Sequence, residues 1–210
     1  LAQRASGKSV RARRVIMLMA LLGAALFFGD GVITPSISVL SAIEGLEVAT
    51  PGLREWVVPL TVVVLLGLFW LQRRGTAKIG VLFGPIMVLW FLALAVIGVH
   101  NIIHAPGVLR ALNPWHAVEF FMTHGKTSIL ALGSVVLCVT GAEALYTDMS
   151  HLGRFPLRAA WFGFVMPALL LNYYGQGGLL LVHPEAIANP FYNSVPSWGL
   201  YPMIGLATAA

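Results

Sequence analysis

The sequence predicts an all-α fold, a polytopic transmembrane helix bundle, and three observations carry that prediction. The first is composition. Of 210 residues, 58% are hydrophobic and only 10% charged, with a mean hydropathy of +0.84, where a soluble domain carries about 25% charged residues. The second is arrangement: apolar runs long enough to cross a bilayer, which takes roughly 20 residues each, follow one another along the chain. The third is where the charges lie. The formal +5 sits in short basic clusters between apolar runs, with no aromatic-interleaved patch, which excludes a nucleic-acid surface. The single cysteine, Cys138, lies in an apolar run and excludes a disulfide framework or a cysteine-rich metal site.

Taken in order, residues 1–14 hold Arg4, Lys8, Arg11, Arg13 and Arg14 with no acid and read as a cytoplasmic basic segment. Residues 15–210 read as membrane domain, about five full spans and part of a sixth. The first span covers about Val15 to Ile43, and Glu44, Glu47, Arg54 and Glu55 follow in a polar loop. A Val- and Leu-rich second span runs from about Trp56 to Leu71 with no polar stripe, as scaffold does. Arg73, Arg74 and Lys78 precede a third span at about Ile79 to Val99, where Gly84-Pro85 reads as a kink. The connection from His100 to Thr127 contains His100, His104, His116 and His124, which share no metal-ligand spacing. Within it, the segment from Asn113 to Gly125 reads as a short interfacial helix anchored by Trp115, Phe120 and Phe121. The fourth span is expected at about Ser128 to Thr147 and the fifth at about Ala159 to Val182, with Asn172, Tyr173 and Gln176 as polar interruptions. The sixth begins near Pro196. Ten of the thirteen Lys and Arg residues fall before span one, after span two and after span four. The positive-inside rule makes those three segments cytoplasmic.

The first span carries the most informative residues. Asp30 lies near its middle, between Gly29 and Gly31 and just before Thr34-Pro35. A carboxylate at membrane depth costs about 2.5–3.5 kcal/mol on insertion scales and turns toward a bundle interior or a watery cavity. Asp30, Thr34, Ser38 and Ser41 fall on one helical face. Pro35 has no N–H, so the carbonyl of Gly31 loses its helical partner. Carboxylate, hydroxyl and carbonyl oxygens on one face suit a hard cation. The competing expectation for Ser38 and Ser41 is a bond back to their own backbone. The fourth span repeats the theme, with Thr140, Glu143 and Thr147 on one face, Tyr146 beside them, and Gly133 and Gly141 allowing close packing.

Two helices that each bring a carboxylate and hydroxyls into an apolar run can form a buried cation site. Burial raises a carboxyl pKa and a bound cation lowers it, so a buried glutamate can exchange a proton against an ion. From the residues alone this reaches a cation transporter or channel, without naming the ion. No TVGYG-like filter supports a channel. No G-x-S-x-G or H-E-x-x-H string supports an enzyme.

Longer strings resemble a known family. FFGDGVITPSISVLSAIEGLEV, QRRGTAKIGVLFGPIMVLWF, ALNPWHAVEFF, TGAEALYTDMSHLGRFPLRAAW and PALLLNYYGQGGLLL are similar, in order and spacing, to the KUP/HAK/KT potassium-uptake family. The resemblance implies the inverted-repeat fold of the amino-acid/polyamine/organocation superfamily, with span one similar to the family's third helix and the last complete span to its seventh. It implies uptake of potassium together with protons, by a secondary transporter and not an enzyme, with no cofactor beyond the transported K+ and H+. By the same resemblance Asp30, Thr34 and Thr140 help coordinate K+, and Glu143 carries or gates the proton. Glu44 lies on the ion's approach path near the outer end of span one. Ser38 is added only because it continues the stripe, and Tyr146 is a candidate cap for the site. The family's first helix, later helices and cytoplasmic domain have no counterpart here, so the chain is expected to be an internal piece holding half a site, with any homodimer formed through regions outside it. The alternative is an amino-acid or polyamine carrier on the same superfamily fold.

Overall fold

In the computed structural model the backbone is described over residues 10–72, 77–138 and 154–210, and side chains over residues 14–50, 52–70, 83–136 and 154–210. The described residues are almost wholly helical, with no strand among them. The helices are α1 (Val10–Ala49), α2 (Arg54–Gln72), α3 (Ala77–His104), α4 (Trp115–His124), α5 (Lys126–Cys138), α6 (Arg154–Val182), α7 (Pro190–Asn193) and α8 (Leu200–Ala209). Arg14–Ala49, Phe83–His104 and Arg154–Val182 are each long and apolar enough to cross a membrane. This is an all-α polytopic membrane protein.

The helices run past the apolar runs that announce them. α1 begins within the basic segment and ends beyond Glu44 and Glu47; α3 continues through His100 to His104. A helix end at headgroup level keeps its backbone bonds while its side chains turn polar, so hydropathy underestimates its length. Pro35, Pro59 and Pro85 all lie inside helices. The fourth expected span is described only as far as Cys138.

The chain divides into two compact units, Leu1–Gly80 with Ala207–Ala209, and Val81–Leu206 with Ala210. The first is built on a helical hairpin. α1 turns through a 3-10 segment, Pro51–Leu53, into α2, closed by Thr50 N–H to the Leu46 carbonyl and Leu53 N–H to the Thr50 carbonyl. Its core lies at the loop end, where Ala42, Ile43, Val57 and Thr61 are buried. Thr61 bonds its hydroxyl to the Val57 carbonyl at 2.7 Å, which removes the cost of burying it. Arg54 pairs with Glu47 at 3.4 Å across the turn.

The second unit is organised by a glycine crossing. A Cβ on Gly98 of α3 would stand 2.3 Å from the Leu171 carbonyl oxygen of α6, and one on Gly175 would stand 2.6 Å from the Gly98 Cα. Only glycine lets two helix backbones approach this closely. The register rises together: Gly98 meets Leu171–Gly175, and Asn101 and Ala105 meet Gly178, so α3 and α6 pack in parallel. Asn101 Nδ2 donates to the Ile97 carbonyl at 2.9 Å and the Ser194 carbonyl at 3.1 Å, fastening the segment after α6 onto α3. Phe91 meets Phe164, and Trp90 meets Phe191. α6 contains a π-helical turn at Trp161–Val165, where Met166 N–H reaches back to the Trp161 carbonyl. Pro167 follows and has no N–H to continue the ladder, the usual setting for such a turn.

A short helix does form in this connection, α4, with no buried residue. It meets α5 at Gly125, whose φ of +46° is one that glycine adopts without strain. Ser128, 1% exposed, donates its hydroxyl to the Phe120 carbonyl at 3.0 Å and holds the elbow.

Candidate functional site

Asp30 and Thr34 lie at successive turns near the middle of α1, and the structure joins them: Thr34 Oγ1 donates to Asp30 Oδ1 at 2.8 Å. The neighbouring hydroxyl does the ordinary thing, since Ser36 Oγ donates to the Val32 carbonyl at 2.8 Å, as Ser and Thr in apolar helices commonly do. Thr34 spends its one proton on the carboxylate. A hydroxyl has one donor and two acceptor lone pairs, so this bond leaves both Thr34 lone pairs and the second Asp30 oxygen free to accept. The face is open: Asp30, Thr34, Ser38 and Ser41 are all exposed. Pro35 stays inside the helix, so the Gly31 carbonyl lacks its α-helical donor beside the pair. About 20 Å of helix separates Asp30 from either end of the apolar run.

Glu44 is half-buried near the hairpin turn, nearly four turns beyond Asp30. The described residues bring together Asp30 and Thr34, with Ser38 one turn on. Thr140, Glu143 and Tyr146 lie outside the described residues.

The histidines among the described residues are occupied locally. His104 Nδ1 lies 2.8 Å from the His100 carbonyl, with the two rings 4.4 Å apart. His116 lies 3.7 Å from Glu119, and His124 stacks on Phe120. His183 Nδ1 lies 3.0 Å from Glu185 Oε1. Glu185 is held below the usual glutamate range, by hydrogen bonding to its own backbone first and to His183 second.

Two polar residues of the second unit stand out. Asn101 clamps Ser194, as described. Asn172, 5% exposed on α6, buries its Oδ1 with no hydrogen-bond partner among the described residues. Its place in an apolar run was visible in the sequence. Its burial at the glycine crossing was not, because that depends on which face meets α3.

Comparison with known proteins is consistent along the whole chain. Residues 1–210 match the family model described as the K+ potassium transporter integral membrane domain. The chain is 59% identical over 203 residues to the probable potassium transport system protein Kup 2 of Dechloromonas aromatica, covering 97% of this chain and 33% of that protein. It is 62% identical over 195 residues to the corresponding Kup 1 of Rhodopseudomonas palustris, covering 93% and 32%. It is 58% identical over 210 residues to the Kup protein of Xanthomonas campestris, covering 100% and 33%. The chain thus spans about a third of the length of the curated relatives it matches. No solved structure matches it.

Proposed function

Because the chain belongs to the K+ potassium transporter family, whose integral membrane domain its whole length matches, we propose that it is part of a secondary transporter that brings potassium across the cytoplasmic membrane by symport with protons. The observation that carries this reading is the Thr34–Asp30 bond, which turns a hydroxyl and a carboxylate into one oxygen-rich acceptor in the middle of an apolar helix. Potassium gives up its water to oxygen ligands. Asp30 supplies charge, Thr34 and Thr140 supply hydroxyl oxygens, and Ser38 extends the stripe outward. Glu44 draws the ion toward the site from the outer end, and Tyr146 caps it.

Glu143 takes the proton role in this proposal. A carboxyl in an apolar helix favours its neutral form, so Glu143 takes up a proton there. Symport requires both cargoes aboard at once, so the carrier turns over only when Glu143 is protonated and potassium sits on Asp30, Thr34 and Thr140. The basic segment before the first span, residues 1–14, lies in the cytoplasm, and the helices form part of an inverted-repeat transporter. The relatives are named for potassium transport, which favours this reading over an amino-acid or polyamine carrier.

The test is complementation, with the full-length protein in cells stripped of their own potassium uptake. Wild type should restore growth in limiting potassium and take up rubidium. Asp30→Asn should raise the half-saturating concentration about tenfold, the worth of roughly 1.4 kcal/mol of binding. Glu143→Gln should abolish the pH dependence of uptake. Wild-type-like kinetics in both variants would reject these residues while leaving the substrate intact. No rescue by well-inserted wild type would reject potassium itself.

A further inference from the structure

The cytoplasmic end of α6 carries a surface feature that the transport reading does not use. Arg154 and Arg158 lie one turn apart, both exposed, and neither forms an ion pair among the described residues. With Phe155 and Ala159 they line a cavity of about 370 Å3. Ala159 keeps the floor low, and Phe155, 83% exposed, forms an apolar wall. Above the cavity the charge stops. Arg158 is followed one turn on by Phe162, 56% exposed, and Ala159 by Gly163, which is exposed and has nothing within 4 Å of where a Cβ would stand.

Depth identifies the occupant. From Ala159 to Val182 the helix rises about 36 Å, already more than the roughly 30 Å hydrocarbon core. The two guanidinium groups therefore stand at headgroup level and the Ala159–Gly163 furrow at acyl level. A phosphate fits between two arginines one turn apart, because each guanidinium presents paired N–H donors to its oxygens. An apolar furrow continuing from that point into the bilayer suits a chain attached to the phosphate. We propose that Arg154, Arg158 and the Ala159–Gly163 furrow form a binding site for one anionic phospholipid of the cytoplasmic leaflet, headgroup on the arginines and acyl chain along the furrow. The site needs only a bilayer, so it stands or falls independently of potassium.

The test uses the full-length protein, reconstituted into bilayers of phosphatidylcholine with or without phosphatidylglycerol and then extracted, with retained lipid counted by mass. Wild type should retain phosphatidylglycerol in preference to phosphatidylcholine and melt at higher temperature when it is present. Arg154→Gln with Arg158→Gln should weaken retention about fivefold per arginine. Arg154→Lys with Arg158→Lys keeps the charge but loses the paired donors, and should fall between the two. Gly163→Leu fills the furrow without touching charge; its side chain meets open space, so the protein should fold and still lose the lipid. If the glutamine pair does not fold, the lysine pair and Gly163→Leu decide. Equal retention of the two lipids by wild type would overturn the site, as it would if the arginines were engaged by a carboxylate such as Asp148 or by another helix. Unchanged retention in Gly163→Leu and the lysine pair would also overturn it.

Discussion

The α1–α2 hairpin and the α3–α6 crossing are made from similarly apolar helices, yet they treat their polar and glycine residues in opposite ways. In the hairpin the core is confined to the loop end, and Asp30, Thr34, Ser38 and Ser41 are exposed. Gly23, Gly29 and Gly31 have nothing within 4 Å of a Cβ position. At the crossing, Gly98 and Gly175 bring backbones into contact, and the amides Asn101 and Asn172 are buried. The crossing uses its glycines and amides for packing, while the hairpin leaves the oxygens of α1 uncovered.

The largest expected effect lies at the crossing. Gly98→Ala would force α3 and α6 apart, since the neighbouring atom is a carbonyl oxygen of backbone and not a flexible side chain. Overpacking of this kind costs about 1–3 kcal/mol or more, read as a lower melting temperature and poorer yield of the full-length protein. Gly23→Ala in the hairpin should do the reverse, gaining up to about 1 kcal/mol of helix propensity. If Gly23→Ala were as damaging as Gly98→Ala, the open face of α1 would be a packing face and the contrast would fail.

The two amides sharpen the same point at smaller scale. Asn101→Ala leaves the Ser194 carbonyl, in a buried residue, without its donor; an orphaned buried acceptor costs about 1–3 kcal/mol. Asn172→Leu removes an acceptor that has no partner among the described residues and should leave the melting temperature unchanged or raise it. Equal losses in both variants would mean that Asn172 also holds a bonded partner.

Much of this division was legible in the sequence, for identifiable reasons. Helices within the apolar runs follow from hydropathy, and the Asp30–Thr34 pair follows from i,i+4 spacing, a relation internal to one helix. The longer extents of α1 and α3 were not legible, because Arg11–Arg14 and His100–His104 are helical without being apolar. Pro167 was visible, but the π-helical turn before it depends on which carbonyl Met166 N–H selects. The crossing was least legible of all. Gly98 and Gly175 are far apart in the chain, and only packing shows that they meet. The sequence-expected partners of Asp30 on the fourth span, Thr140 and Glu143, lie outside the described residues.

The smallest effect expected is at Glu185, beyond the end of α6, where the carboxylate is fully exposed. Its bonds to its own backbone and to His183 favour the ionised form and lower its pKa. A carboxylate whose folded pKa is lowered contributes stability above its unfolded value, about pH 4.3, and loses it as pH falls through the folded value. Exposure to solvent screens the contribution, so Glu185→Gln should barely shift the melting temperature at pH 7. The informative quantity is the difference between wild type and Glu185→Gln across pH 7 to 3, in which all other carboxylates cancel. That difference should be small, favour wild type, and close as the pH drops below the glutamate range. A gap that persists or widens at pH 3 would show that the side chain acts through something other than its charge.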